Sequence, residues 1–385
     1  MIIPAKEKKE MPEPNSKFTL LRYILATVGI ILYIVDTGTD IWVAVQYYAD
    51  KCYGWFALTI FFVLAGSLVP QIFSYAWFRD DGKIDKRKRT QLIFIHILQL
   101  GVFTRYFQLL KKGVGVIQSS EMTCHHEMFG MAADLTMLRL IETFVESAPQ
   151  LLLQIYIILG PDQDHIMQYL SVAASFFSIA WATVEYRRSF RRSVPHVKEM
   201  PSGLPTAVYL SYKLFTIASH ILSLSLLVML DRYCTSVFAI LWLCGTIWAY
   251  KCETDFCTSR SLEWFYRGIV GVILIFTFFN VKGKNTAVVM TVYYGLYTCQ
   301  SLAVLLLFYF LKSLPAALLP VALVITGSKL AGLICLCLYY AFLHPKSNEQ
   351  VFEMQDEVDG LMAQRCEPDS PMTSSERRRK AFLQY

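Results

Sequence analysis

The chain has 385 residues, of which 55% are hydrophobic and 17% charged. Apolar runs long enough to cross a bilayer recur along it, which excludes an ordinary soluble domain and points to a polytopic membrane protein. The formal net charge of +6 is concentrated in a few short loops, so it sets topology and is not the signature of a nucleic-acid binder.

Residues 1–17 are charged and contain proline, and the apolar run after them is too long for a secretory signal. That run, Leu20–Tyr48, is read as the first span, with the N-terminus in the cytosol. It carries Asp36 and Asp40, which share one face with Tyr33 and Tyr47. Two like charges four apart repel, so this face needs a cation, protonation or water. Tyr53–Phe78 is the second span, with a kink expected at Pro70. Residues 79–91 (RDDGKIDKRKRTQ) are basic and therefore cytosolic. Leu92–Leu110 holds His96, Gln99, Arg105 and Gln108 and has basic residues at both ends, the pattern of a re-entrant segment. Residues 114–130 are expected to form a polar cytosolic loop in which Cys124, His125 and His126 are solvated.

Met131–Leu159 (MAADLTMLRLIETFVESAPQLLLQIYIIL) organises the rest. It is long enough to span, yet it contains Asp134, Arg139, Glu142 and Glu146. Arg139, Glu142, Glu146, Gln150 and Gln154 recur every three or four residues and stack on one helical face. A charge at bilayer depth costs about 3 kcal/mol or more, so this face should meet protein or water. Two readings fit: a structural ion-pair network between helices, or a hydrophilic path across the membrane.

Residues 160–165 (GPDQDH) lack Lys and Arg and are placed outside. Met167–Tyr186 is the next span, with Ser171, Ser175, Ser178 and Glu185 on a mild polar face. Arg187, Arg188, Arg191, Arg192 and Lys198 return the chain to the cytosol. Residues 191–203 are read as a linker between two membrane halves, 20–190 and 204–343. In the second half Leu204–Leu230 carries Lys213 and His220. The short span Ser236–Tyr250 and a second re-entrant segment, Trp264–Asn280, follow. Ala287–Leu311 and Leu314–Leu343 complete it. The expected fold is an all-α polytopic membrane protein. It has eight transmembrane helices and two re-entrant helices in two pseudo-symmetric halves, a pattern that places a working site at their interface. Cys52 and Cys234, both in loops placed outside, are a candidate disulfide pair.

The tail, 344–385, is placed in the cytosol. It contains Asp356-Glu357-Val358-Asp359-Gly360, the preferred substrate pattern of an effector caspase, whose pocket reads the aspartate through arginine and needs an exposed segment. Leu361–Tyr385 is a candidate basic amphipathic helix. No Walker A loop, zinc-protease run or nucleophile elbow occurs, so neither enzyme chemistry nor a cofactor or metal is expected. The acids Asp36, Asp40, Glu142 and Glu146 also suit a proton-coupled transporter or channel.

The runs YIVDTGTDIWVAVQYY (33–48), MLRLIETFVESAPQLLLQIYI (137–157) and FTFFNVKGKN (276–285) resemble the XK-related (Kell complex subunit-related) family over residues 20–345. The caspase pattern points to the branch activated in dying cells. The resemblance implies a plasma-membrane phospholipid scramblase, silent until caspase cleavage, that exposes phosphatidylserine. It also implies an inhibitory C-terminal helix and, for some members, a single-span chaperone subunit. Charged membrane residues form the lipid route proposed for such relatives, and the matching positions here are Asp36, Asp40, Arg105, Asp134, Glu142, Glu146, Glu185 and Arg188. Where relatives in that branch carry a membrane arginine, this chain has His220.

Overall fold

The computed structural model describes residues 17–81, 86–119, 121–160, 166–193, 199–254, 256–281, 286–312 and 318–344. The expected caspase segment Asp356–Gly360 and the tail helix lie outside these residues, as does the side chain of Asp36. The described chain is helical throughout: α1 Leu20–Ala49, α2 Tyr53–Asp81, α3 Lys86–Ile97, α4 Gly101–Ile117 and α5 Met122–Glu142. A π-helical turn, Thr143–Ser147, joins α5 to α6 Ala148–Ile158. Then come α7 Ile166–Ser193, α8 Leu204–Leu230, α9 Ser236–Lys251, α10 Arg260–Phe276, α11 Thr286–Lys312 and α12 Leu319–Leu338, which ends in a second π turn, Tyr339–Leu343.

Among the described residues, six helices are long and apolar enough to cross a membrane, and α3–α4 counted as one broken span makes seven. The helix containing α5 and α6 is not one of the six, because its charges and amides dilute its apolar character. Large apolar side chains such as Leu64, Leu296 and Phe342 are exposed on the outer surface, as expected of faces that meet lipid.

The α3–α4 pair is bent by 113°, a geometry shared by a broken span and by the re-entrant segment expected over residues 92–110. The corner rests on α2. Gln99 at the bend has a φ of 63°, its carbonyl accepts from Gln71 Nε2 at 2.9 Å, and Gln71 Oε1 accepts from Gly101 N at 3.0 Å. These bonds satisfy backbone groups that a broken helix frees inside a bilayer.

Three expectations are corrected. Residues 122–130 belong to α5 and are not a loop. His125 is buried, accepting from Phe18 N at Nδ1 (3.1 Å) and donating from Nε2 to Ser119 O (3.1 Å), so satisfied burial replaces solvation. The helix expected over Met167–Tyr186 runs from Ile166 to Ser193, so Arg187 and Arg191, placed after the span, belong to α7 and are buried. Cys52 and Cys234 are free thiols, so the candidate bridge is not formed.

The π turn has a local cause. Pro149 has no N–H and its ring crowds the carbonyl four residues back, so the ladder cannot continue with α spacing. The N–H of Ala148 reaches back five residues to Thr143 O. The widened turn packs on α2, where a Cβ at Gly66 would overlap the Glu146 side chain.

Helix α8 is a hub, in contact with α6, α7, α10, α11 and α12. The Gly245 and Gly271 backbones let α9 and α10 cross closely. Helix α10 ends inside the protein, and the chain leaves it extended at Thr277. Its carbonyls are met one by one. Leu274 O accepts from Tyr293 and Tyr297 hydroxyls at 2.9 and 2.8 Å. Ile275 O accepts from His220 Nε2 at 2.7 Å, and Phe278 O accepts from Lys213 Nζ at 3.0 Å. Orphan carbonyls at a helix C-terminus attract donors and cations, which assigns His220 and Lys213 a structural duty.

Replacing Lys213 with Met should therefore cost about 2 kcal/mol, the size of a hydrogen bond to a charged group, read as a lower melting temperature of the detergent-solubilised chain. In the same assay Gly66→Ala should cost about 1–3 kcal/mol from overpacking, whereas Gly38→Ala, with open space around it, should be neutral.

Candidate functional site

The polar residues singled out in α5 and α6 stay together in three dimensions. Glu142, Glu146 and Gln150 are 5, 4 and 3% exposed, with Leu140, Ile141, Phe144 and Leu151 buried around them. From Asp134 to Gln154 the helix rises about 30 Å, the thickness of the hydrocarbon core. The ladder is therefore long enough to reach from one side of a bilayer to the other.

Its lower end is held by ion pairs. Arg105 on α4 lies 3.7 Å from Asp134, and its Nε and Nη2 donate to Ser74 Oγ and Ser74 O of α2 at 3.1 Å each. The guanidinium also stacks over the Phe78 ring at 4.0 Å. Ser74 Oγ meets His96 Nε2 as well, at 3.1 Å, so one hydroxyl ties both arms of the bent α3–α4 pair to α2. Arg139 Nη1 donates to Glu142 Oε1 at 3.0 Å, and its guanidinium faces the Tyr33 ring of α1 at 5.5 Å. The two stripes inferred from sequence, on α1 and on α5–α6, thus meet through Tyr33. Asp40 is half-buried on α1.

Glu185 of α7 is half-buried within the field of Arg139, Arg188 and Arg192. Beyond it the charges continue toward the linker. Arg188 Nη2 donates to Ser202 Oγ at 2.9 Å, and Glu199 bridges Arg22 of α1 (3.3 Å) and Arg192 (3.4 Å). On the other side of α7 Arg187 sits in an aromatic enclosure. It is 4.4 Å from the Tyr209 ring centroid and donates to the Tyr340 hydroxyl at 3.2 Å.

The upper end differs. Glu146 fits into the space left by Gly66. One turn on, Gln150 is buried and neither atom of its amide has a hydrogen-bond partner among the described residues. Gln154 is half-buried. Burying an amide unmet costs about 1–3 kcal/mol, so an unmet one in a native helix demands a reason.

Sequence reasoning missed the residues that hold the ladder from α2. Ser67, Gln71 and Ser74 follow helical spacing in an otherwise apolar span, a signal available from the sequence. Gly66 gave no such signal, since its purpose appears only with Glu146 opposite.

The XK-related protein family pattern matches residues 24–345. The chain is 44% identical over 366 residues to XK-related protein 9 of Tetraodon nigroviridis, covering 90% of this chain and 96% of that protein. It is 32% identical over 349 residues to XK-related protein 8 of Gasterosteus aculeatus, covering 86% of each. It is also 32% identical over 352 residues to XK-related protein 8 of Tetraodon nigroviridis, covering 87% of this chain and 86% of that one. An all-helical, multi-pass chain matched along nearly its whole membrane region is thereby placed: this protein belongs to the XK-related family.

Proposed function

We propose that this chain is a phospholipid scramblase of the plasma membrane, with both termini in the cytosol, activated when a caspase cleaves its tail after Asp359. The observation that carries the reading is the buried ladder ending in the unmet Gln150 amide. A purely structural network would close its hydrogen bonds, since half-met polar groups cost more than apolar replacements. A ladder that offers a free donor and acceptor at bilayer depth suits a moving polar group. A lipid head group crossing bare hydrocarbon meets a prohibitive desolvation cost. Along Asp36, Asp40, Arg105, Asp134, Arg139, Glu142, Glu146, Gln150, Gln154, Glu185 and Arg188 it would trade one set of polar partners for the next while its tails remain in lipid. The motion is downhill in either direction and needs no cofactor.

The substrate class is membrane phospholipid, phosphatidylserine included. The regulatory partner is an effector caspase acting on Asp356–Gly360, and a single-span chaperone subunit is a further partner proposed by family likeness. A proton-coupled transporter, the rival reading of the same acids, predicts pH-dependent solute flux and no lipid exchange.

The test is lipid exchange by the purified chain in liposomes carrying fluorescent phospholipids, before and after caspase treatment. Cleaved wild type should equilibrate the leaflets, and uncleaved protein or Asp359→Ala should not. Glu142→Gln should slow exchange at least tenfold. Gln150→Leu should slow exchange similarly while raising stability by about 1 kcal/mol, because it removes an unmet buried amide. Unchanged exchange in Gln150→Leu would return the ladder to a structural role.

A further inference from the structure

Lys329 is 7% exposed on α12 and makes no hydrogen bond or ion pair among the described residues. It lies ten residues into the apolar span Leu319–Leu343, about 15 Å along a helix axis and so near half the hydrocarbon depth. A buried ammonium there requires a partner. The sequence around it supplies no anion: α8, α9, α11 and α12 contain no Asp or Glu.

The neighbourhood is defined by contacts on either side of Lys329. One turn before it, Ile325 O accepts from Ser219 Oγ of α8 at 3.0 Å. One turn after it, Gly332 packs on Thr216 of α8. The two helices are therefore antiparallel, and helical side chains lean toward their own N-terminus, which carries the Lys329 ammonium toward the level of Ser219 and Ser223. His220 is within its Coulombic range. His220 is 3% exposed and Ser223 fully buried, yet His220 Nδ1 and Ser223 Oγ have no partner among the described residues. Lys329 on α12 and, on the adjoining α8, His220 Nδ1 and Ser223 Oγ thus have bonding capacity unmet among the described residues.

We infer that Lys329, with Ser223 and His220 beside it, forms a binding site for the phosphate of a phospholipid head group, in the half of the protein opposite the acidic ladder. An ammonium and a hydroxyl donate to phosphate oxygens, and Nδ1 accepts from a water or head-group hydroxyl. The far side of α12 exposes Leu323, Leu330 and Ile334, so the hydrocarbon tails of the same lipid have an apolar surface to follow. The inference rests on the lipid-moving reading in one respect: the ligand it names is the phospholipid of that reading.

The experiment is native mass spectrometry of the full chain in detergent, titrated with dioctanoyl phosphatidylserine. The wild type should retain the lipid, and Lys329→Met should bind it about tenfold more weakly, the effect of losing one charge-assisted bond. Lys329→Arg should restore binding. Dioctanoylglycerol, which lacks the phosphate, should not be retained. Inorganic phosphate should fail to compete, and full competition would overturn the lipid assignment. Ser223→Ala, a milder change, should weaken binding severalfold and serves if Lys329→Met does not fold. Unchanged binding in either folded variant overturns the site, as does retention of a second protein chain in place of lipid. The two proposals fail separately: a wild type that binds lipid through Lys329 without exchanging it refutes the activity, and one that exchanges lipid with Lys329→Met binding unimpaired refutes the site.

Discussion

A polar group in hydrocarbon must be met or it destabilises the structure by several kcal/mol, and this constraint decides where each charged side chain of the chain resides. The apolar faces need little explanation, because lipid tails solvate Leu and Phe as readily as protein does. What fixes the arrangement of the helices is the satisfaction of Arg105, Arg139, Lys213 and the freed carbonyls of two broken elements. Helix α2 serves the first half as a rack of acceptors and donors, through Ser67, Gln71 and Ser74. Helix α8 serves the second, through Lys213 and His220.

The surroundings of α5–α6 and of α8 solve the same problem with different chemistry. In the first, carboxylates and guanidiniums neutralise each other in sequence, Arg105 against Asp134 and Arg139 against Glu142. In the second, phenol hydroxyls, an imidazole and an ammonium close the end of α10 without any carboxylate in the flanking spans. The first is consequently a row of alternating charge and the second a site of excess donors.

Much of this was legible in the letters. Four-residue spacing from Glu142 to Gln154 is visible without coordinates, and the polar residues and basic flanks of residues 92–110 marked a segment that is not one straight span. The family was readable because long motifs cover the membrane region. What the letters hid was reciprocity. Arg187 looks like one more cytosolic marker until Tyr209 and Tyr340 close around it. His125 looks like a loop residue until Phe18, 107 positions earlier, donates to it. His220 looks like a missing charge until the end of α10 arrives beside it. Each depends on a distant segment, and local periodicity carries no information about distant segments.

The π turn at Thr143–Ser147 sets the angular phase between the two parts of the ladder. Each residue of an α-helix advances about 100° around the axis, so one residue more or fewer in that turn rotates α6 by nearly a third of a revolution against α5. Glu142 would stay on its face while Gln150 and Gln154 swung to another, and the row of polar groups would be cut in two at the level of Pro149. Continuity of the stripe along the helix thus hangs on the pitch of five residues, and a proline missing its N–H is what keeps that pitch wide.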